Sequence, residues 1–194
     1  MEESLVSVII PTRNSERTIE TVLESARNQT YSHYEIIVVD NHSCDRTLFI
    51  VEKHKATLYS HGPERSAQRN YGAAKAKGEY LIFLDSDIEL SSRVIEECIQ
   101  QVRKGFEIIT FPEAIIGEGF WAKCRALEAA CYLGDDTIEA PRFYSRKIFF
   151  ALGGFEEALS GTEDWDLRES ALRAGYAIGR IAALTMHHEG RIDL

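Results

Sequence analysis

The chain has 194 residues, 44% hydrophobic and 27% charged, with a formal net charge of −9 and a pI near 5.2. That length suffices for one domain with a full core, and the acidity argues against broad nucleic-acid binding, which needs a basic face. No apolar run is long enough to span a bilayer, the first residues do not read as a secretory leader, and Cys44, Cys98, Cys124 and Cys131 form no CxxC pair; a cytoplasmic, reducing setting without disulfides is therefore expected.

Leu5–Ile10 reads as a strand stopped by Pro11, and Thr12-Arg13-Asn14-Ser15 as a polar turn. Ile19, Val22, Leu23 and Ala26 then recur at helical spacing, so an amphipathic helix is predicted from about Ser15 to Gln29. A second strand closes on Asp40, followed by the loop Asn41–Asp45, a helix to about Lys55 and a short strand near Thr57–Tyr59. A helix over Ser66–Lys77 ends at Gly78. This alternation predicts an α/β chain with a doubly wound, mostly parallel sheet.

The next strand, Leu81–Leu84, is a continuous apolar run, as expected where helices cover both sheet faces. It ends in Asp85-Ser86-Asp87. If the backbone stays extended, the two carboxylates point the same way and suit Mg²⁺ or Mn²⁺. The plainer alternative is a capped turn. Ser91 or Ser92 is then predicted to cap a helix burying Val94, Ile95, Cys98, Ile99 and Val102, before a strand at Glu107–Phe111. Beyond Pro112 the pattern is less regular. A helix is predicted over Gly119–Leu133, a strand around Arg142–Tyr144, and the turn Gly153-Gly154-Phe155. Ser160–Asp164 reads as a loop and cap for a helix to Ala174. Short strands at Ala177–Ile181 and Ala183–Met186 lead to His187-His188-Glu189.

Taken together, Val6–Thr12 with Asn14, Val38-Val39-Asp40 with Ser43 and Asp45, Arg69-Asn70 with Gly72, Asp85-Ser86-Asp87, and Gly153-Gly154-Phe155 followed by Glu163-Asp164 resemble the family 2 glycosyltransferases, in order and spacing. The resemblance covers nearly the whole chain. It implies the GT-A fold over 1–194, with a nucleotide-binding half at about 1–111 and an acceptor half at about 112–194. It also implies an inverting transfer of a sugar from a nucleotide-diphosphate sugar, assisted by Mg²⁺ or Mn²⁺. In that family, positions matching Pro11, Thr12 and Asp40 line the nucleotide pocket, and Glu16 matches an acidic position near the ribose. Arg13 is expected to contact the nucleotide sugar with them, though it stands where an aromatic residue that would stack on the base is common. Arg69 is expected to pair with the diphosphate through its planar fork; Arg65 is a weaker candidate for the same task. Asp87 is the expected direct metal ligand, Asp85 with Ser86 supports the ribose or reaches the ion through water, and His187 matches a third ligand. Asp164 is the expected general base, with Glu163 orienting the acceptor or the base.

Each assignment has a simpler rival: Asp40 as a helix cap, Arg69 as a solvated helix charge, Glu163-Asp164 as first-turn acids favoured by the helix dipole, and His187 as a packing residue. The expected partners are a UDP- or GDP-linked sugar and a saccharide or lipid-linked acceptor, with no nucleic acid. A homodimer and contact between Gly119–Leu133 and the cytoplasmic face of a membrane are further expectations, the latter from Phe120, Trp121 and Leu127 beside Lys123 and Arg125. Competing functions are a non-catalytic sugar-nucleotide binder on the same scaffold and a sugar-phosphate nucleotidyltransferase. The latter needs a glycine-rich loop after the first strand, which Pro11–Asn14 lacks. A dehydrogenase is disfavoured by the lack of GxGxxG there.

Overall fold

The apolar runs of the first half become the centre of a sheet covered on both sides. The computed structural model describes residues 4–135, 138–159 and 161–191; Ser160, expected in the loop before Glu163, lies outside them. Strands β1 (Val6–Thr12), β2 (Tyr34–Asp40), β3 (Thr57–Ser60), β4 (Tyr80–Phe83), β6 (Ile108–Thr110), β8 (Pro141–Ser145) and β9 (Ile178–Arg180) form one seven-stranded sheet in the order β3-β2-β1-β4-β8-β6-β9. All neighbours are parallel except β8, which runs antiparallel to both β4 and β6. Three further strands, β5 (Ile88–Leu90), β7 (Glu113–Glu118) and β10 (Thr185–Arg191), make a small second sheet in the order β5-β10-β7.

Alternation along the strands sorts the core into two layers. Val8, Ile10 and Val38 pack with α1 (Ile19–Arg27), α2 (Thr47–Lys53) and α4 (Val94–Arg103). Ile9, Ile37 and Val39 pack on the other face with α3 (Arg65–Lys75), α6 (Arg146–Ala151) and α7 (Glu163–Arg173). Full burial of each such side chain contributes about 1.5–3 kcal/mol, so the sheet is a rigid platform for whatever lies at its strand tips. α3 approaches β1 so closely that a Cβ at Gly72 would sit 2.5 Å from Ile9 Cγ2. The helix α5 (Phe120–Cys131) differs from the rest: it packs on β7 and buries only Ala122.

Several expectations are corrected here. Pro11 does not stop β1, which continues to Thr12 beside Asp40. The Ile9 carbonyl points towards β4, where it accepts from the Leu84 amide, and Thr12 points towards β2, where it accepts from Asn41. Pro11 therefore faces the β4 side, beyond the last β1–β4 pair at Ile9, so its missing N–H breaks no ladder bond. The backbone does not stay extended from Asp85 to Asp87. β4 ends at Phe83, and the Asp85 carbonyl accepts from the Ile88 amide in a tight turn. Neither Ser91 nor Ser92 caps α4, whose N-cap is Arg93 with no side-chain cap bond. Strands β5 and β7 were not expected.

Candidate active site

The site is built from loops at the carboxyl ends of β1, β2 and β4, where open α/β sheets bind ligands. Asn14 and His42, both at φ 51°, turn the loops after β1 and β2 towards each other. They are then stitched together. Ser43 Oγ accepts from the Asn14 amide at 2.8 Å, Thr47 Oγ1 from Ser15 at 2.7 Å, and Asp45 Oδ2 from Glu16 at 3.1 Å. Glu16 Oε2 accepts from the Arg46 amide at 3.0 Å. Asp40 lies beneath this seam, 1% exposed, taking the Thr12 hydroxyl at 3.0 Å, the Ser43 hydroxyl at 2.5 Å and the Ser43 amide at 2.8 Å. From α3, the Gln68 side-chain amide donates to the Thr12 and Val39 carbonyls, tying both strand ends to the helix.

Beyond β4 a chain of alternating charges crosses the molecule. Arg69 Nη1 donates to Asp164 Oδ1 at 3.0 Å and Glu163 Oε1 at 3.2 Å, and its Nη2 donates to Asp85 Oδ1 at 2.5 Å. The other Asp85 oxygen accepts from Arg142 Nη1 at 3.1 Å, and Arg142 Nη2 donates to Glu113 Oε2 at 2.9 Å. Glu113 Oε1 faces His187 Nδ1 at 2.9 Å, and His187 Nε2 faces Asp87 Oδ2 at 3.5 Å. Arg65 adds a two-nitrogen contact to Glu163 Oε1. Burial opposes ionisation of Asp85, but Arg69, Arg142 and Arg65 outweigh it and hold its carboxyl below the usual range. Burial also opposes ionisation of Glu113 and Glu163; Glu113 is nevertheless lowered by its hydrogen bond with His187 and then by Arg142, and Glu163 by a backbone hydrogen bond and then by Arg65 and Arg69. The His187 imidazolium is held up to about 10 by its hydrogen bonds to Asp87 and then Glu113.

Arg69 is fully buried. Its guanidinium lies 5.2 Å from the Phe155 ring, and Asn70 grips the Phe155 backbone with both ends of its amide, at 2.8 and 3.0 Å. Gly154 makes that grip possible. It sits at φ +76°, and a Cβ there would come within 2.8 Å of Asn70 Oδ1. The Gly-Gly-Phe turn thus props Arg69 from below. Arg69 Nε, Glu163 Oε2 and Tyr144 Oη are buried without a hydrogen-bond partner, an unusual cost for a cluster that served stability alone.

Of the expected site residues, Pro11, Thr12, Arg13, Asp85, Ser86, Asp87 and His187 line one cleft of about 230 Å³. Glu16 with Arg13, Ser86 and Asp87 borders a larger adjoining groove of about 910 Å³. Asp164 opens on a separate cavity of about 290 Å³ walled by Phe111, Ile115, Tyr132, Ile138 and Trp165. Glu163 is 1% exposed and lies behind it, bound to Arg65 and Arg69. Arg69, expected at the diphosphate, is instead enclosed among three carboxylates; Arg65, 46% exposed at its side chain, lines the cleft in its place. Asp40, expected to reach a base, has both oxygens taken by Thr12 and Ser43. Sequence reasoning missed Arg142 and Glu113. The available signals were a charge inside the otherwise apolar strand Phe143-Tyr144 and an acid directly after Pro112.

Within the cleft the residues present fit a divalent cation at Asp87 and His187; another cluster of ligand-type side chains, Glu20, Glu24 and His54, lies outside it. Asp87 and His187 offer a carboxylate oxygen and an imidazole nitrogen at the rim of the cleft, a mixed donor pair that suits Mn²⁺ better than the oxygen-seeking Mg²⁺. Asp85 differs, since each of its oxygens already takes a guanidinium.

Comparison with known proteins places the chain in a family. The model of Glycosyl transferase family 2 matches residues 7–156, and the chain belongs to that family. It is 32% identical over 157 residues to the poly(ribitol-phosphate) beta-N-acetylglucosaminyltransferase TarP of Staphylococcus aureus, covering 76% of this chain and 46% of TarP. In fold it is similar to S. aureus TarS 1-349 in complex with UDP, with a TM-score of 0.74 at 22% identity, over 94% of this chain and 60% of that one. It is also similar to the mannosyltransferase PcManGT from Pyrobaculum calidifontis in complex with GDP-Man and Mn²⁺, with a TM-score of 0.72 at 20% identity, over 94% of this chain and 56% of that one. The fold is GT-A, and the chain spans about half the length of these three relatives.

Proposed function

We propose that the chain carries the donor site and the base of an inverting glycosyltransferase that uses a nucleotide-diphosphate sugar. The observation that carries this reading is the Arg69 bridge. One buried guanidinium holds Asp85, at the donor cleft, and Asp164, at the second cavity. Two carboxylates with different surroundings are thereby fixed relative to each other, as a displacement between two substrates requires.

On this reading Pro11 and Thr12 wall the nucleotide, and Arg13 and Arg65 are the cations the cleft offers a diphosphate. Asp87 and His187 would hold the divalent ion, Mn²⁺ or Mg²⁺, which would supply positive charge for the leaving nucleoside diphosphate. Asp164, with one oxygen held by Arg69, accepts the acceptor hydroxyl proton on the other. The acceptor oxygen forms its bond to the anomeric carbon as the bond from that carbon to the diphosphate oxygen breaks on the opposite face, so the centre inverts. The apolar and aromatic walls around Asp164 suit the flat face of a saccharide, free or lipid-linked.

The base assignment is tested by Asp164→Asn. Transfer should fall about 10²–10⁴-fold, while UDP-sugar or GDP-sugar binding by calorimetry stays near wild type. Unchanged turnover removes Asp164 as base, and loss of donor binding removes the division into two cavities. Thermal shift with UDP-, GDP- and TDP-sugars, with and without Mn²⁺, identifies the donor.

The membrane contact also belongs to this reading. No helix of the described residues is long and apolar enough to cross a bilayer. α5, however, carries Phe120 and Leu127 each 70% exposed, with Trp121 at 43%, a surface suited to lying on a membrane. A homodimer would use the same face and is recognised by concentration-dependent sedimentation without lipid.

A further inference from the structure

We infer that Glu113 is a positioning residue for the metal centre: it fixes the His187 imidazole so that Nε2 faces the cation shared with Asp87. The inference rests on the reading of Asp87 and His187 as the cation's ligands and goes beyond it, by assigning a role to a residue on a different strand.

The geometry is specific. Glu113 opens β7, which pairs in parallel with β10 so that Glu113 lies opposite Thr185 and Ile115 opposite His187. An ionised carboxylate can only accept, so His187 Nδ1 carries the proton in the 2.9 Å contact to Glu113 Oε1. Nε2 is the nitrogen turned to Asp87 Oδ2, and a cation bound there would displace its proton while Nδ1 keeps its own. Metal-bound histidines commonly donate their second ring nitrogen to a carboxylate in this way, which sets the ring's orientation and raises its basicity as a ligand.

Glu113 is itself held. Its second oxygen accepts from Arg142 Nη2 at 2.9 Å, and the other arm of that guanidinium holds Asp85. Glu113 therefore cannot swing to the cation without abandoning Arg142. Its two oxygens have separate tasks, one towards the imidazole and one towards the arginine. The same pair makes Arg142 the link by which the carboxylate at the tip of β4 and the imidazole on β10 keep a common reference.

The experiment measures Mn²⁺ binding to the whole chain by the electron paramagnetic resonance signal of free aqueous Mn²⁺, with UDP present. Glu113→Gln should weaken Mn²⁺ about 10–100-fold. Made in a His187→Ala background, the same change should shift the affinity by less than about twofold, because its effect passes through the imidazole. Equal Mn²⁺ affinity of Glu113→Gln and wild type overturns the inference. So does an equal weakening with and without His187, which would mark Glu113 as a support for Arg142 alone. If His187→Ala binds Mn²⁺ as wild type does, the ligand assignment itself has failed, and that outcome is distinct from the other two. Should Glu113→Gln melt early, Glu113→Asp keeps the charge but shortens the reach; wild-type affinity in that variant also overturns the inference.

Discussion

Replacing Arg69 by Met tests whether the buried guanidinium organises the site. Met keeps much of the bulk but removes every donor that Arg69 aims at Asp85, Glu163 and Asp164. Breaking a buried ion pair by deleting one partner costs about 3–5 kcal/mol. Here three acids lose a shared cation, although Arg142 still serves Asp85 and Arg65 still serves Glu163, so the upper part of that range, about 4–5 kcal/mol, is expected. For a chain of this length the fall in Tm is on the order of 10–20 °C. The deficit should depend on pH with a definite sign. Asp85 and Glu163 have folded pKa values below their ordinary 3.8 and 4.5. Their contribution is therefore fully present above those values and is lost as pH falls through the depressed ones. Without Arg69 the same acids, still desolvated, protonate more readily and cost less as pH drops. Urea unfolding should show the largest gap between wild type and variant near neutral pH, narrowing below about pH 5. A gap under about 1 kcal/mol at neutral pH, or one that stays constant into the acid range, would refute the reasoning.

Gly154→Ala should destabilise by about 1–3 kcal/mol, since it adds left-handed strain and a Cβ 2.8 Å from Asn70 Oδ1; differential scanning calorimetry measures this. Phe155→Leu keeps most of the buried volume but removes the ring beneath Arg69, and a loss of about 0.5–2 kcal/mol is expected from the cation–π contact, read by urea unfolding. Saturating UDP-sugar with Mn²⁺ should raise Tm, by about 2.7 kcal/mol of stability at a hundredfold excess over Kd, and EDTA should abolish most of the rise. Leu127→Ser on α5, where the side chain is 70% exposed, should change stability by less than about 0.5 kcal/mol. It should nevertheless reduce co-sedimentation with anionic vesicles; undiminished sedimentation would count against the membrane contact.

The sheet's first half was legible because its signals are local. Ile36–Val39 and Leu81–Leu84 are continuous apolar runs, and Ile19, Val22, Leu23 and Ala26 recur at helical spacing, all buried as that spacing requires. Cys98 on α4 is buried in the same manner. The tip of β4 was legible in identity but not in shape, because an Ile88–Asp85 turn and an extended run can share one sequence. Arg69 was misread for a different reason. Its environment is made by Asp85, Glu163 and Asp164, up to 95 positions distant, and no periodicity reports that a surface-type residue is enclosed. β7 escaped notice because it is short, half-exposed and pairs with β10 across more than 70 residues. Arg142 and Glu113 left only weak local signals, a charge in an apolar strand and an acid after Pro112, because their partners Asp85 and His187 are distant in sequence.

The main sheet contains a single reversed strand, β8. Because β8 runs against β4, it begins, rather than ends, beside Asp85, and Arg142 stands at that beginning. The residues just before β8, 138–140, therefore stand over the strand tips that carry Asp85. Ala129, Tyr132, Ile138, Glu139 and Ala140, all from the stretch that leads into β8, wall the chamber around Asp164. Insertions or exchanges between α5 and Pro141 would thus reshape the chamber around Asp164, while the cleft assembled from the other strand ends stays untouched.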